Sequence, residues 1–238
     1  YHMNTFFGII QNNVAILNED ESLHCVKVLR HKVGDIIQVI DGNGTRAIGK
    51  IEAAHAKDCA VSLTEKEVVT QTRNYKIHVA IAPTKNIERI EWFVEKAVEI
   101  GVDEISFIKC KNSERTVIKD DRLKKVAEAA VKQSQQAFIP KLNSLVDFKE
   151  FIKKDSSDVK LIAHCEKESK QHIKQYITSN KSFTILIGPE GDFTKDEIAL
   201  ALSSSYLPVA LGDSRLRAET AGLFACGAFA SINLLSIF

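Results

Sequence analysis

Thr184-Ile-Leu-Ile-Gly-Pro-Glu-Gly-Asp-Phe193 reads as an apolar strand ending in a glycine and proline turn, and Thr194-Lys-Asp-Glu197 follows at the spacing of a helix capping box. Strand, turn and capped helix make the βα unit of an α/β domain. Outward from this stretch, the same alternation holds from about residue 75. Apolar runs at 77–81 and 105–108 alternate with helical periods at 86–100 and 122–137. Further strands are expected at 159–164 and 208–211, the last leading into a long apolar helix from Glu219. The period over 86–100 places Ile87, Ile90, Val94, Ala97 and Val98 on one face, with Gly101 as C-cap. Apolar strands separated by helices predict a mostly parallel sheet.

The N-terminal part has a different texture. Short β-rich runs at 14–17, 36–40, 46–51 and 60–63 surround one short helix expected at 21–30, and Asp41-Gly-Asn-Gly44 is a strong hairpin turn. A small β-barrel is the natural reading. The polar, aperiodic stretch Glu65-Lys-Glu-Val-Val-Thr-Gln-Thr-Arg-Asn74 reads as a linker, which gives domains at 3–70 and 75–238. Tyr1 and His2, ahead of Met3, read as a tag remnant and are set aside.

The 238 residues are 45% hydrophobic and 26% charged, an ordinary globular balance. A net charge of +1 does not announce a nucleic-acid binder, so any RNA surface has to be a local basic patch. The five cysteines lie far apart with no metal-ligand spacing, so no metal is expected; they read as small core residues in a reducing cytoplasm. No run of about 18 apolar residues suggests a membrane span. His24 and His31 lack a nucleophile or metal partner at useful spacing and read as structural or solvent-facing; Trp92 reads as core or interface.

Open parallel sheets bind ligands at the carboxyl ends of their strands. Three such loops stand out: His164-Cys-Glu166, Gly188-Pro-Glu-Gly-Asp-Phe193, and Leu211-Gly-Asp-Ser-Arg-Leu-Arg-Ala-Glu-Thr-Ala221. From composition alone, the second reads first as a plain βα turn and only then as a ligand loop, and in the third Arg215 and Arg217 read first as solvated cations or partners of Asp213 and only then as binding groups. No Walker A pattern follows, and no G-x-G-x-x-G opens a helix.

Taken in order, His24-Cys-Val-Lys-Val-Leu-Arg30 with Val33-Gly-Asp35, Glu95-Lys-Ala-Val-Glu-Ile-Gly101, Leu186-Ile-Gly-Pro-Glu-Gly191 and the 211–221 segment resemble the RsmE family of 16S rRNA uridine-N3 methyltransferases, in the SPOUT superfamily. The resemblance spans nearly the whole chain. It implies a PUA-like β-barrel followed by a SPOUT-type α/β domain with a deep C-terminal trefoil knot, a topology that periodicity cannot reveal. It also implies a homodimer that uses S-adenosylmethionine as cofactor and 16S ribosomal RNA, in the assembled small subunit, as substrate. Carried over, the cofactor contacts are Ile187, Gly188, Pro189, Glu190, Gly191, Leu211, Gly212, Leu216, Arg217, Glu219, Thr220 and Ala221, with His164 for the remaining loop.

N3 of uracil has to lose its proton before it can accept a methyl group. Arg217 is the first choice to stabilise the resulting anion, and Glu219 or Glu190 to hold the arginine or take the proton. RNA contacts are expected from Lys27, Arg30 and Arg46 on the barrel, Lys85, and Arg215. Two positions depart from the family pattern: Asp192, where a glycine is usual, and Lys132-Gln-Ser-Gln-Gln136, where an arginine often follows Gln-Ser. The alternatives are a non-catalytic RNA-binding or ribosome-assembly factor, and a knotted methyltransferase acting on another RNA.

Overall fold

A computed structural model of the chain describes residues 3–71, 73–167 and 169–231. The elements are β1 (Thr5–Gln11), β2 (Val14–Leu17), α1 (Glu19–Leu23), a π-helical turn (His24–Val28), β3 (Ile36–Ile40), β4 (Thr45–Ala53), β5 (Ala60–Val68), β6 (Lys76–Ile81), α2 (Ile87–Ile100), β7 (Glu104–Lys109), α3 (Asp120–Gln133) and β8 (Lys141–Asp147). They continue with α4 (Phe148–Lys154), β9 (Val159–Ala163), β10 (Gln171–His172), a 3₁₀ turn (Ile173–Tyr176), β11 (Ser182–Ile187), α5 (Lys195–Ser203), β12 (Leu207–Ala210) and α6 (Ala218–Ala230). The chain divides into two compact units. One holds the described residues up to Gln71 together with Val131–Ile139, and the other holds Arg73–Ala130 and the described residues from Pro140 onward.

The first unit is a closed barrel in the order β1-β2-β5-β4-β3, sealed by parallel pairing of β1 with β3. Phe6, Ala15, Leu17, Ile37, Val39, Ile51 and Val61 fill it, joined by Cys25 and Cys59. Strand β1 escapes the sequence pattern because Thr5-Phe-Phe-Gly-Ile-Ile-Gln11 does not alternate. The expected linker begins too early: β5 runs on to Val68, its exposed Glu65, Lys66 and Glu67 paired with β4. A solvent-facing strand end reads as polar and aperiodic, which hides it from composition. The single helix expected at 21–30 is instead α1, capped by the Asn18 side chain, plus the π-turn; Arg30 follows with φ +59, outside helix geometry.

Val131–Ile139 also differs from the sequence reading, which gave it to the second domain. Lys132 Nζ pairs with Glu21 at 2.5 Å, Gly44 N donates to Ala137 O, Ile139 N donates to Gly42 O, and Arg46 donates to Gln135 O at 2.6 Å. Residue-level periodicity carries no information about such returns. The helix expected to reach residue 137 ends at Gln133, and Gln135 takes a positive φ of 55°.

The second unit is a seven-stranded, all-parallel sheet in the order β10-β12-β9-β11-β6-β7-β8. Helices α2 and α6 pack on one face, where Phe183 of β11 stacks on Phe229 of α6 at 4.6 Å between ring centroids. On the other face Phe148, Phe151 and Ile152 of α4 and Ile198 and Ala201 of α5 cover Ala80, Ile162 and Leu186. With both faces covered, β6 and β11 read as continuous apolar runs. Gly101 caps α2 with φ +100, and Thr194 and Glu197 form the capping box of α5, both as expected. Edge strand β8 and the seven-residue α4 were missed, because a half-buried edge strand and a two-turn helix leave little periodicity. On α6, Phe229 is buried, Phe224 is exposed and Leu223 is intermediate; Ile232 and Leu235, expected on the same helix, lie outside the described residues.

A part-buried polar chain crosses β7, β6 and β11 and ends at Asp155, the residue that closes α4. His78 Nε2 meets Ser106 Oγ at 2.8 Å and His78 Nδ1 meets Thr184 Oγ1 at 3.2 Å; Thr184 donates to Asp155, which also accepts from Ser157 and Tyr206. Burial pushes the His78 imidazole below its ordinary value, with Lys141 acting in the same direction and Glu104 and Asp155 opposing. Burial alone would raise the Asp155 carboxyl, but hydrogen bonds from Tyr206, Ser157 and Thr184 hold it low.

Both depressed groups make the fold more stable above their unfolded values than below them. Stability should therefore fall as pH drops through about 6.5, where an unfolded histidine takes up its proton, and fall again below 3.8, where an unfolded aspartate is protonated while folded Asp155 still holds its charge. Urea unfolding between pH 8 and 5 and NMR titration of His78 check this; a His78 midpoint at or above 6.5 would contradict it. Packing gives a second prediction. A Cβ on Gly222 of α6 would stand 2.7 Å from the Phe93 ring of α2. Overpacking of this kind costs about 1–3 kcal/mol and should exceed the gain of about 1 kcal/mol in helix propensity, so Gly222→Ala should lower the unfolding free energy and lose less when combined with Phe93→Leu.

Candidate active site

Strands β9, β11 and β12 end side by side at Ala163, Ile187 and Ala210, and the chain leaving each end lines one cavity of about 790 Å³. That volume lies within the roughly 300–1,000 Å³ typical of small-molecule sites. Ile187, Gly188, Pro189 and Glu190 come from the β11 exit, His164 and Cys165 from the β9 exit, and Leu211, Gly212, Arg215, Leu216, Arg217, Glu219 and Ala221 from the segment entering α6. Among the sequence-selected contacts, Gly191 and Thr220 do not line it. Gly191 packs on Asn112, and Thr220 is exposed on α6. A second depression, about 840 Å³, is formed, among the described residues, by Lys119 and one face of α3.

Local structure explains the loops. Arg217 is the N-cap residue of α6 in extended conformation, and its carbonyl accepts the first helical bond from Ala221 N. Arg217 is exposed at the cavity, while Glu219, in the first turn, is buried. Glu219 Oε1 lies 3.8 Å from Arg89 Nε, and Glu219 Oε2 is buried with no hydrogen-bond partner among the described residues. A desolvated carboxylate oxygen facing a cavity is costly unless a donor arrives. Gly188, expected to be glycine for ligand approach, is also constrained from within: a Cβ there would meet the Phe193 ring at 3.1 Å.

Glu190 is exposed, and its Oε1 accepts the backbone N–H of Lys85 at 3.0 Å, tying the β11 exit to the β6 exit. Arg115 holds that same β6 exit, donating to Thr84 O and Lys85 O at 3.0 and 2.5 Å. Glu197 of the capping box accepts from Lys111 N at 2.7 Å. Asp192 Oδ2 accepts from Cys165 N at 2.8 Å. The Cys165 thiol is pushed up by partial burial and then by the Asp192 carboxylate, with Arg215 opposing. Cys165 is exposed, which corrects the expectation that all five cysteines are core; the other four are buried.

Arg89, Asn112 and Arg115 were missed by the sequence reading, and Glu197 was read only as a capping-box residue. The available signal was positional: Asn112 and Arg115 follow β7, another strand whose carboxyl end deserved the same reading, and Arg89 sits in the first turn after β6. Of the expected RNA-contacting cations, Lys27 and Arg30 are exposed on the barrel. Arg46 is half-buried and committed to Gln135 O and Glu67. Lys85 is exposed and pairs with Glu114 at 2.9 Å, which raises its ammonium above the ordinary value. Trp92, 42% exposed, is not core. Among the described residues no cluster of three or more metal-ligating side chains occurs, and no helix is long and apolar enough to cross a membrane.

The pattern of an RNA methyltransferase domain matches residues 71–230, and that of an RNA methyltransferase PUA domain matches residues 17–64. The chain belongs to the RNA methyltransferase family. Within that family, it is 38% identical to the probable rRNA-methyltransferase of Porphyromonas gingivalis, whose crystal structure superposes with a TM-score of 0.88 over 98% of this chain and 100% of that one. It is 27% identical to the ribosomal RNA small subunit methyltransferase E of Rickettsia conorii, covering 95% of this chain and 92% of that protein. The methyltransferase E of Neisseria gonorrhoeae, solved bound to S-adenosyl methionine, shares the fold at 21% identity, with a TM-score of 0.85 and coverage of 97% and 98%.

The unmatched Glu219 oxygen yields a test that needs no ligand. Glu219→Gln removes the buried negative charge and keeps the shape, so the ligand-free variant should be at least as stable as the wild type in thermal unfolding. A fall of several degrees in Tm would show that Arg89 already satisfies the carboxylate.

Proposed function

We propose that this protein transfers a methyl group from S-adenosylmethionine to N3 of a uridine in 16S ribosomal RNA of the small subunit. The observation that carries this reading is the strand-end cavity, where the Gly-Pro-Glu-Gly turn, the 211–221 segment and the unmatched Glu219 oxygen converge. The residues fit the cofactor. Ile187, Gly188, Pro189, Leu211, Gly212, Leu216 and Ala221 would give apolar walls and backbone groups, and Glu219 Oε2 is an acceptor that only an incoming donor can satisfy. Bound there, the cofactor supplies an electrophilic methyl group on a sulfonium.

The chain's own groups then have three tasks. Arg217, exposed at the cavity, stabilises the negative charge that uracil gains when N3 loses its proton. Glu219 is the stronger of the two carboxylates for holding that arginine or taking the proton, since Glu190 is committed to the Lys85 amide. Lys27 and Arg30 on the barrel, with Lys85 and Arg215, contact phosphates and position the RNA without selecting sequence. N3 is closed to attack in a paired base, so the target uridine is unpaired or flipped out.

The same reading takes the working form as a cytoplasmic homodimer acting on the assembled subunit; exposed Trp92 on α2 and Phe224 on α6 support an interface there. It includes the trefoil knot. The strand order β10-β12-β9-β11, with the late strand β12 inserted between the earlier β10 and β9, is compatible with it.

Wild-type protein, S-adenosylmethionine and unmodified small subunits should together yield a single N3-methyluridine in 16S rRNA, located by mass spectrometry. Arg217→Ala should keep the fold and lose about 100-fold or more in rate, the usual effect of removing a charge-stabilising donor. Cofactor binding without methylation would move the target to another RNA. Absence of cofactor binding would favour a non-catalytic RNA-binding role.

A further inference from the structure

Asp192 occupies a position where its backbone argues against an ordinary residue. Its φ is +62°, in the left-handed region that glycine enters freely and other residues rarely. A side chain kept there has to return something, and the structure shows what. Asp192 Oδ2 accepts the Cys165 amide of the β9 exit at 2.8 Å, and Oδ1 accepts the Phe193 amide of its own loop at 2.8 Å. A third strand end joins them: Asn112, after β7, donates through Nδ2 to Gly191 O and to Asp192 O, both at 3.1 Å. Asp192 N closes the turn onto Pro189 O at 2.9 Å. Asp192 and Cys165 both line the cavity, and Phe193 is buried against Phe148.

The structure assigns Asp192 as a positioning residue, a carboxylate clasp that fixes the β9 exit against the β11 exit and so sets the shape of the cavity before any ligand enters. Charge-assisted bonds from backbone amides to a carboxylate are about twice as strong as neutral ones, and both carboxylate oxygens are used. The clasp stands on ligand-free geometry; its consequence for cofactor affinity rests on the methyltransferase reading.

The test compares wild type with Asp192→Gly and Asp192→Asn. Glycine suits φ +62°, so Asp192→Gly should unfold within a few degrees of wild type while losing the tie. In the ligand-free protein, exchange of the Cys165 amide should become at least about tenfold faster, as expected for a lost protecting bond. Alkylation of Cys165 by iodoacetamide should also speed up, since the carboxylate that raises the thiol is gone; Cys165 is the one exposed cysteine, so the reaction is site-specific. By calorimetry, the Kd for S-adenosylmethionine should rise about tenfold, with kcat at saturating cofactor little changed, and Asp192→Asn should recover part of the affinity. Unchanged Cys165 exchange and unchanged Kd would overturn the assignment. A Kd loss matched by a large fall in Tm would reduce Asp192 to a purely structural residue and overturn it as well. If wild type binds no S-adenosylmethionine, the methyltransferase reading fails while exchange and alkylation still decide the clasp.

Discussion

Phe183, Ile185 and Ile187 on one side of β11 and Leu186 on the other are all buried, because helices cover both faces of the parallel sheet. A strand covered on both sides has nowhere to present polar chemistry except at its ends. The carboxyl ends of β9, β11 and β12 are therefore where glycine, proline, arginine and glutamate collect, and where the backbone is free to approach a ligand. The cavity follows from burying the sheet. Its lining residues are far apart in sequence because they belong to strands that are adjacent only in space.

The buried polar groups of the α/β unit fall into two kinds. Across the sheet, His78, Ser106, Thr184, Ser157, Asp155 and Tyr206 satisfy one another, so that network contributes stability and a single arrangement of the strands. At the strand ends, Glu219 keeps one carboxylate oxygen unmatched. The contrast separates structure from function: a satisfied network needs nothing more, whereas an unmatched buried acceptor beside a cavity is poised for a donor. The surrounding ties, from Glu190 to Lys85, Arg115 to Thr84 and Asp192 to Cys165, hold the loops in place so that binding does not have to order them.

Much of this was legible in the chain. The strand, Gly/Pro turn and capped helix at 184–197 appear where their pattern placed them, as does the α2 helix with its Gly101 cap, since each rests on local backbone preferences. What escaped was non-local or weakly patterned. Strand β1 does not alternate, β5 ends in exposed charges, and β8 is a half-buried edge. Arg46, chosen as an RNA contact for its charge, is spent on the Gln135 carbonyl, and Arg89 was passed over although it faces the cavity. Charge alone does not tell a tethered cation from a presented one.

By itself the sequence determined the two textures of the chain, the parallel α/β character of the second, and the three strand-end loops that hold the unusual residues, because periodicity, capping and turn chemistry act over a few residues. Only the tertiary structure decided that Val131–Ile139 returns to the barrel, that Glu190 is tethered while Glu219 keeps an open oxygen, and that Asp192 clasps Cys165 across 27 residues. Those outcomes depend on which strand ends become neighbours when the sheet assembles and on how much water each side chain then loses, and neither is written in local spacing.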